Sequence, residues 1–183
     1  HLVANGLPAS SQSPKDLEFV AQGERTKATP LTINADKIQA ALALTPIIVV
    51  PGFSAVDALG DCVLLGRGGS DISAVCIAHA LGLESVRLLK DVNGLYDRDP
   101  NKYPTATRLA YVDYATACRI GGELIQPEAI DFAATKSMAI DVAAIGSVNK
   151  SRIGPKRITE AQTGTAAGHS APADQSLHST AAS

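Results

Sequence analysis

The sequence predicts an α/β protein built on a largely parallel sheet. Strand-like apolar runs at residues 46–50, 85–89 and 140–145 alternate with helical patterns, which is the order that produces parallel strands joined by helices. A glycine-rich turn at residues 66–70 leads directly into the most apolar helical pattern of the chain, at residues 72–81. Ligands in such sheets sit beyond the carboxyl ends of the strands, and Phe53, Arg67 and Asp91 all fall just after a predicted strand or in the loop beyond one.

Taken in order, Leu2-Val3-Ala4-Asn5 before Gly6 reads as a helix end with its C-terminal glycine. Leu17-Glu18-Phe19-Val20 alternates as a short strand does. Asn34 or Asp36 is placed to cap a helix over residues 37–44. Pro46-Ile47-Ile48-Val49-Val50 has no polar break, the pattern of a strand buried on both faces. Pro51-Gly52-Phe53 ends it, and residues 57–61 turn the chain. For the central helix the expected N-cap is Ser70 or Asp71. The strand at residues 85–89 ends at Lys90-Asp91, and residues 92–100 form a turn-rich loop. Asp113 caps a short helix, Tyr114 to Ile120, which Gly121-Gly122 stops. Gln126-Pro127-Glu128 opens a helix to about Lys136, with proline near its start. Residues 140–145 read as the last strand.

The expected organisation is one folded unit over residues 1–150, then a disordered tail or truncated linker over residues 151–183. From Thr159 onward only Leu177 is large and apolar, too little surface to offset the entropy of ordering. The chain opens on His1 with no signal-peptide pattern and reads as a piece of a longer protein. A net charge of −2 provides no basic field for nucleic acid or an anionic membrane. Cys62, Cys76 and Cys118 lack zinc-like spacing, and their odd number argues against a complete disulfide framework. A reducing, cytoplasmic location is expected.

The glycine-rich turn has the chemistry of an anion site. Glycines let the backbone approach a ligand closely, and the helix that follows leaves unpaired N–H groups at its positive end. Arg67 adds a planar fork that meets a carboxylate or phosphate through two hydrogen bonds. Ser70 is not read as a nucleophile, because Ile72 stands where a Gly-x-Ser-x-Gly elbow requires glycine. Residues 91–99 alternate acids like a calcium loop, yet lack its glycine and final glutamate, and no metal site is expected from the residues themselves. His79, inside the central helix, reads as structural.

Four blocks together resemble the aspartate kinase branch of the amino-acid kinase superfamily, over roughly residues 2–147. They are Pro51-Gly52-Phe53, Leu65 to Asp71, Lys90 to Pro100, and Gly121-Gly122-Glu123-Leu124-Ile125-Gln126-Pro127, the last similar to that family's Gly-Ala-Lys-Val-Leu-His-Pro. The resemblance implies a three-layer α/β/α sandwich. It implies phosphoryl transfer from ATP, with Mg²⁺, to the side-chain carboxylate of aspartate in amino-acid biosynthesis. It also implies a homo-oligomer, or fusion to further domains such as a homoserine dehydrogenase. By position, Phe53, Arg67 and Ser70 would contact the amino acid, and Asp71 would belong to the catalytic polar network. Lys90, Asp91, Tyr96, Asn101, Glu123 and Leu124 would line the nucleotide pocket.

The chain departs from the family pattern at Lys90, where threonine is usual, and at Asn101, where arginine is. It also departs at Gly122-Glu123, in place of alanine-lysine, and at Gln126, in place of histidine. The family's opening Lys-Phe-Gly-Gly strand and loop has no counterpart before Pro46, so the expected identity is the C-terminal, nucleotide-binding half of a kinase domain. Two alternatives stay open: a non-catalytic kinase-like module that binds amino acid or nucleotide, and a sister kinase of glutamate, acetylglutamate or uridylate.

Overall fold

From the amino end, a 3₁₀ turn (Val3–Asn5) closed by left-handed Gly6 leads to β1 (Ala9–Ser11), β2 (Val20–Glu24), β3 (Lys27–Thr32) and α1 (Ala35–Leu44). There follow β4 (Ile47–Val49), β5 (Ser54–Val56), β6 (Cys62–Leu64), α2 (Gly69–Ala80) and β7 (Ser85–Lys90). Beyond a long loop come β8 (Tyr111–Asp113), α3 (Tyr114–Ile120), α4 (Pro127–Thr135), β9 (Ala139–Ala144) and β10 (Ser151–Gly154). This computed structural model describes residues 1–122 and 124–155.

The strands form three sheets, ordered β1-β4, β3-β2-β5-β6 and β7-β9-β10-β8. Parallel ladders join β1 to β4, β2 to β5, β7 to β9 and β8 to β10. Antiparallel ladders join β2 to β3, β5 to β6 and β9 to β10. The architecture is thus mixed α/β, rich in parallel pairs, with helices α2, α3 and α4 laid against the β7-β9-β10-β8 sheet.

Helix α2 joins the two larger sheets. It touches β7 and α4 on one side and β3 and β5 on the other. That is why its sequence is apolar almost all round, with Ile72, Val75, Cys76 and Ala78 all buried. One continuous core runs from Phe19, Ala55 and Val63 through Val75 to Ile130, Ile140, Val142 and Ile153. The helix ends follow local chemistry. Asn34 Oδ1 accepts from the amides of Asp36 and Lys37, Asp113 accepts from the Thr116 amide, and Pro127 opens α4.

Several expectations need correction. The N-cap of α2 is Gly68, in left-handed conformation, while Ser70 and Asp71 lie inside the first turn. A side-chain cap was expected where the backbone alone makes the turn. The run at residues 46–50 is not buried on both faces. Among the described residues β4 pairs only with β1, and Val49 is half exposed. The strand expected at residues 17–20 starts at Val20, while Leu17 and Phe19 are buried in the turn before it. β9 is not the last strand, and the boundary expected at residue 150 falls just before one. β10 sits between β9 and β8, with Ser151 and Ile153 fully buried. The rest of the expected tail, residues 156–183, lies outside the described residues.

Candidate functional site

The site grows from the end of β6. Leu65 is buried, and then Gly66 (φ 74°) and Gly68 (φ 73°) take the left-handed conformation on either side of exposed Arg67. α2 begins at Gly69, whose amide donates to the Gly66 carbonyl at 3.0 Å, so Arg67 stands two residues before the positive end of the helix. Close packing fixes the turn from outside. A Cβ on Gly68 would stand 2.4 Å from Cβ and Cγ of Gln126, and one on Gly69 would stand 2.9 Å from Leu65 Cβ and 3.1 Å from Phe53 Cα. A Cβ on Gly52 would come within 3.0 Å of Ser70 Cα. The turn therefore gathers Gly52-Phe53 and Gln126, blocks that stand far apart in the chain.

Phe53 is held in an unusual backbone state, with φ 72° for a residue that is not glycine. Such strain persists only where neighbours over-determine it. Here the Phe53 amide donates to Ser73 Oγ at 3.2 Å, and its carbonyl accepts from the Leu65 amide at 2.9 Å. Ser73 in turn donates to the Gly69 carbonyl at 2.8 Å. The ring of Phe53, 40% exposed, stands over Gly69 at the mouth of the turn.

Asp71 and Lys90 meet across the sheet edge. Lys90 is the last residue of β7, and its Nζ lies 2.9 Å from each carboxylate oxygen of Asp71 in the first turn of α2. Both side chains are largely covered, at 20% and 13% exposure. A paired, hydrogen-bonded carboxylate at a helix N-terminus is favourable on both counts.

The remaining expected residues divide. Asp91 follows Lys90 directly and is exposed. Tyr96 is half-buried and forms an isolated bridge with Arg108, and exposed Asn101 donates its amide to Asp99 at 2.9 Å, so both are held within their own loop. Leu124 packs against the core. Glu123 lies outside the described residues. The loop itself is pinned from below. Ser151 Oγ accepts from the Leu95 amide at 2.8 Å and donates to the Leu109 carbonyl at 2.5 Å, and Arg108 donates to the Lys150 carbonyl.

Sequence reasoning missed four contributors. Ser73 orients Phe53, and its signal was a lone serine within an apolar helix, where it bonds back to the preceding turn. Lys27 passes over the turn, its Cγ 3.1 Å from where a Gly66 Cβ would be, but nothing local marks a hairpin lysine as part of a distant site. Gln126 was read as the start of a helix and as a departure from the family pattern, and its packing on Gly68 is a tertiary fact. Ser151 fell beyond the expected boundary.

Arg67, the positive end of α2 and the Lys90–Asp71 pair combine a chemistry that suits a carboxylate or phosphate. A model of the amino acid kinase family matches residues 1–150. The chain belongs to the amino acid kinase family. Its relatives place it with the aspartokinase branch. An aspartate kinase of Stutzerimonas stutzeri is 33% identical over 144 residues, covering 77% of this chain and 35% of the relative. An aspartokinase of Pseudomonas aeruginosa matches equally, 33% identical over 144 residues with the same coverage. Among solved structures, E. coli aspartokinase III in complex with aspartate and ADP superposes with a TM-score of 0.70 at 21% identity, covering 86% of this chain and 37% of that one. The chain thus spans about a third of the length of the curated relatives it matches. Among the described residues no helix is long and apolar enough to cross a membrane.

Proposed function

We propose that the chain carries the nucleotide side and part of the acceptor side of an aspartate kinase, which transfers the γ-phosphoryl group of ATP to the side-chain carboxylate of aspartate. The supporting observation is the convergence of Phe53, Arg67, Ser70 and the Lys90–Asp71 pair around one helix N-terminus, in a chain whose relatives are aspartate kinases. In the transfer a carboxylate oxygen attacks the γ-phosphorus, the bond to the bridging oxygen breaks, and ADP leaves with that electron pair. Such chemistry needs positioning and neutralised charge more than a covalent catalyst.

Each residue has a role in that frame. The guanidinium of Arg67 holds a carboxylate of the amino acid by two hydrogen bonds, with Ser70 and the α2 amides beside it. Phe53 walls the acceptor pocket. Asp71 belongs to the polar network around the reacting groups, and Lys90 fixes its carboxylate. Asp91, Tyr96, Asn101, Glu123 and Leu124 belong to the nucleotide side. Mg²⁺ is expected to ride on the phosphates of the nucleotide. No three His, Cys, Asp or Glu side chains among the described residues form a cage for it.

Calorimetric titration with ADP and with L-aspartate, on the wild type and Arg67→Lys, tests this reading. Lysine keeps the charge and loses the fork. The expected result is an unchanged Kd for ADP and an aspartate Kd weakened about tenfold or more, since a charge-assisted hydrogen bond contributes roughly 1.5–3 kcal/mol. Weakening of ADP alone would move Arg67 to the phosphate site. Failure of both ligands to bind would overturn the proposal. Hydroxamate trapping of the acyl phosphate reads the transfer itself.

A further inference from the structure

We propose that the groove between β3, α2 and α4 is a second binding site, for a compact aliphatic carboxylate. It encloses about 340 Å³, within the range of small-molecule pockets. Phe19, Ile33, Cys76 and Phe132 line it together with Thr32, His79 and Lys136. It meets α2 at its far end, about 15 Å along the helix from the glycine turn at 1.5 Å per residue. It is therefore separate from the site described above.

The aromatic and aliphatic lining can take a hydrocarbon body, and Lys136 an anion. The ring of Phe132 has two nitrogen-bearing groups near it. Lys136 Nζ is 5.8 Å from its centroid, and the His79 imidazole stands edge-on to it at 6.5 Å. No carboxylate lines the groove, and among the described residues neither Lys136 nor His79 has an ion pair. The positive charge of Lys136 also acts on the Cys76 thiol, so its field reaches into the groove. An ammonium beside a groove that also holds aromatic and aliphatic side chains, with no carboxylate within ion-pair distance among the described residues, is complementary to a ligand with a hydrocarbon chain and one carboxylate. A peptide strand added to β3 is disfavoured, because Pro30 removes a donor from that strand.

Octanoate, with octan-1-ol as the uncharged control, probes the site by calorimetry on the full chain. The methyl signals of Ile33 report the location by NMR. Octanoate should bind at least tenfold more tightly than octan-1-ol and shift the Ile33 signals. Lys136→Gln should weaken octanoate about tenfold, while Lys136→Arg should hold its Kd within about threefold. Ala80→Leu, which fills the groove from the end of α2, should abolish binding with the fold intact by circular dichroism. Equal affinity for octanoate and octan-1-ol would overturn the proposal, as would an unchanged Kd in Lys136→Gln or binding that leaves Ile33 unshifted.

Discussion

Gly68→Ala should cost this protein about 2–5 kcal/mol, and a second substitution far along the chain should recover part of it. Gly68 has φ 73°, where an L-residue costs roughly 1–2 kcal/mol. Its added Cβ would also stand 2.4 Å from both Cβ and Cγ of Gln126, roughly 1 Å inside the preferred carbon–carbon separation. Those atoms lie next to the backbone at the N-cap of α4, so no rotamer change moves Cβ away. Either the turn or the start of α4 must shift, and overpacking of this kind costs about 1–3 kcal/mol. The sum is a large share of the roughly 5–15 kcal/mol that holds a domain folded.

Gln126→Gly removes the opposing atoms and leaves only the dihedral cost. By itself it loses a 3.2 Å hydrogen bond to the Gly122 carbonyl, while glycine is acceptable at an N-cap. Urea denaturation of the two single variants and the double variant gives the coupling directly. The double variant should recover about 1–3 kcal/mol of the Gly68→Ala loss. A loss below about 1 kcal/mol in Gly68→Ala, or strict additivity with Gln126→Gly, would refute the packing of the two motifs described here.

Three further outcomes are expected. Burial pushes the Cys76 thiol up to about 12, with Lys136 opposing. Above its unfolded pKa of about 8.5 the unfolded chain therefore loses a proton that the folded chain keeps. Stability should fall by up to about 1.4 kcal/mol per pH unit from this source, and Cys76→Ala should flatten that alkaline slope in denaturation curves taken from pH 8 to 10.5. Asn34→Ala should cost about 0.5–2 kcal/mol by urea denaturation, since its Oδ1 accepts two amides at the start of α1. Lys90→Met should cost roughly 1.5–3 kcal/mol by leaving the covered Asp71 carboxylate without its partner, and adding Asp71→Asn should recover part of the loss.

The elements legible in the sequence were those whose signals are local. Asp113 before Tyr114–Ile120, Gln126-Pro127 before α4 and Asn34 before α1 act within one helical turn, and each helix begins where its cap or proline places it. The β7 and β9 patterns were equally plain, because runs of β-branched and aliphatic residues mark a strand whether it lies at the sheet edge, as β7 does, or inside it, as β9 does. The β2–β3 hairpin, β5, β8 and β10 were not legible. Each is short or carries polar or proline residues, and β5 and β10 also depend on strands distant in sequence, β2 and β8. Residues 46–50 misled for a related reason. An apolar run looks the same whether two neighbours cover it or only β1 does. At the site, the glycine turn and Arg67 were visible as chemistry. The strain at Phe53, its support by Ser73 and the approach of Lys27 exist only once three segments are brought together.

The balance of charge around the turn follows from one pairing. Asp71 in the first turn of α2 would by itself occupy the positive end of the helix and repel an incoming anion. Lys90 engages both its oxygens at 2.9 Å, so the carboxylate is neutralised within the fold. Around that pair, the exposed Arg67 and the Lys27 chain over Gly66 add positive charge at the positive end of α2. The exposed Asp91 lies one residue past Lys90, on the side assigned to the nucleotide, where a carboxylate can meet a cation carried on phosphates. Removing Lys90 therefore does more than lower stability. In the proposed reading it returns a negative charge to the helix end assigned to the acceptor carboxylate, so Lys90→Met should weaken aspartate binding although its ammonium meets Asp71.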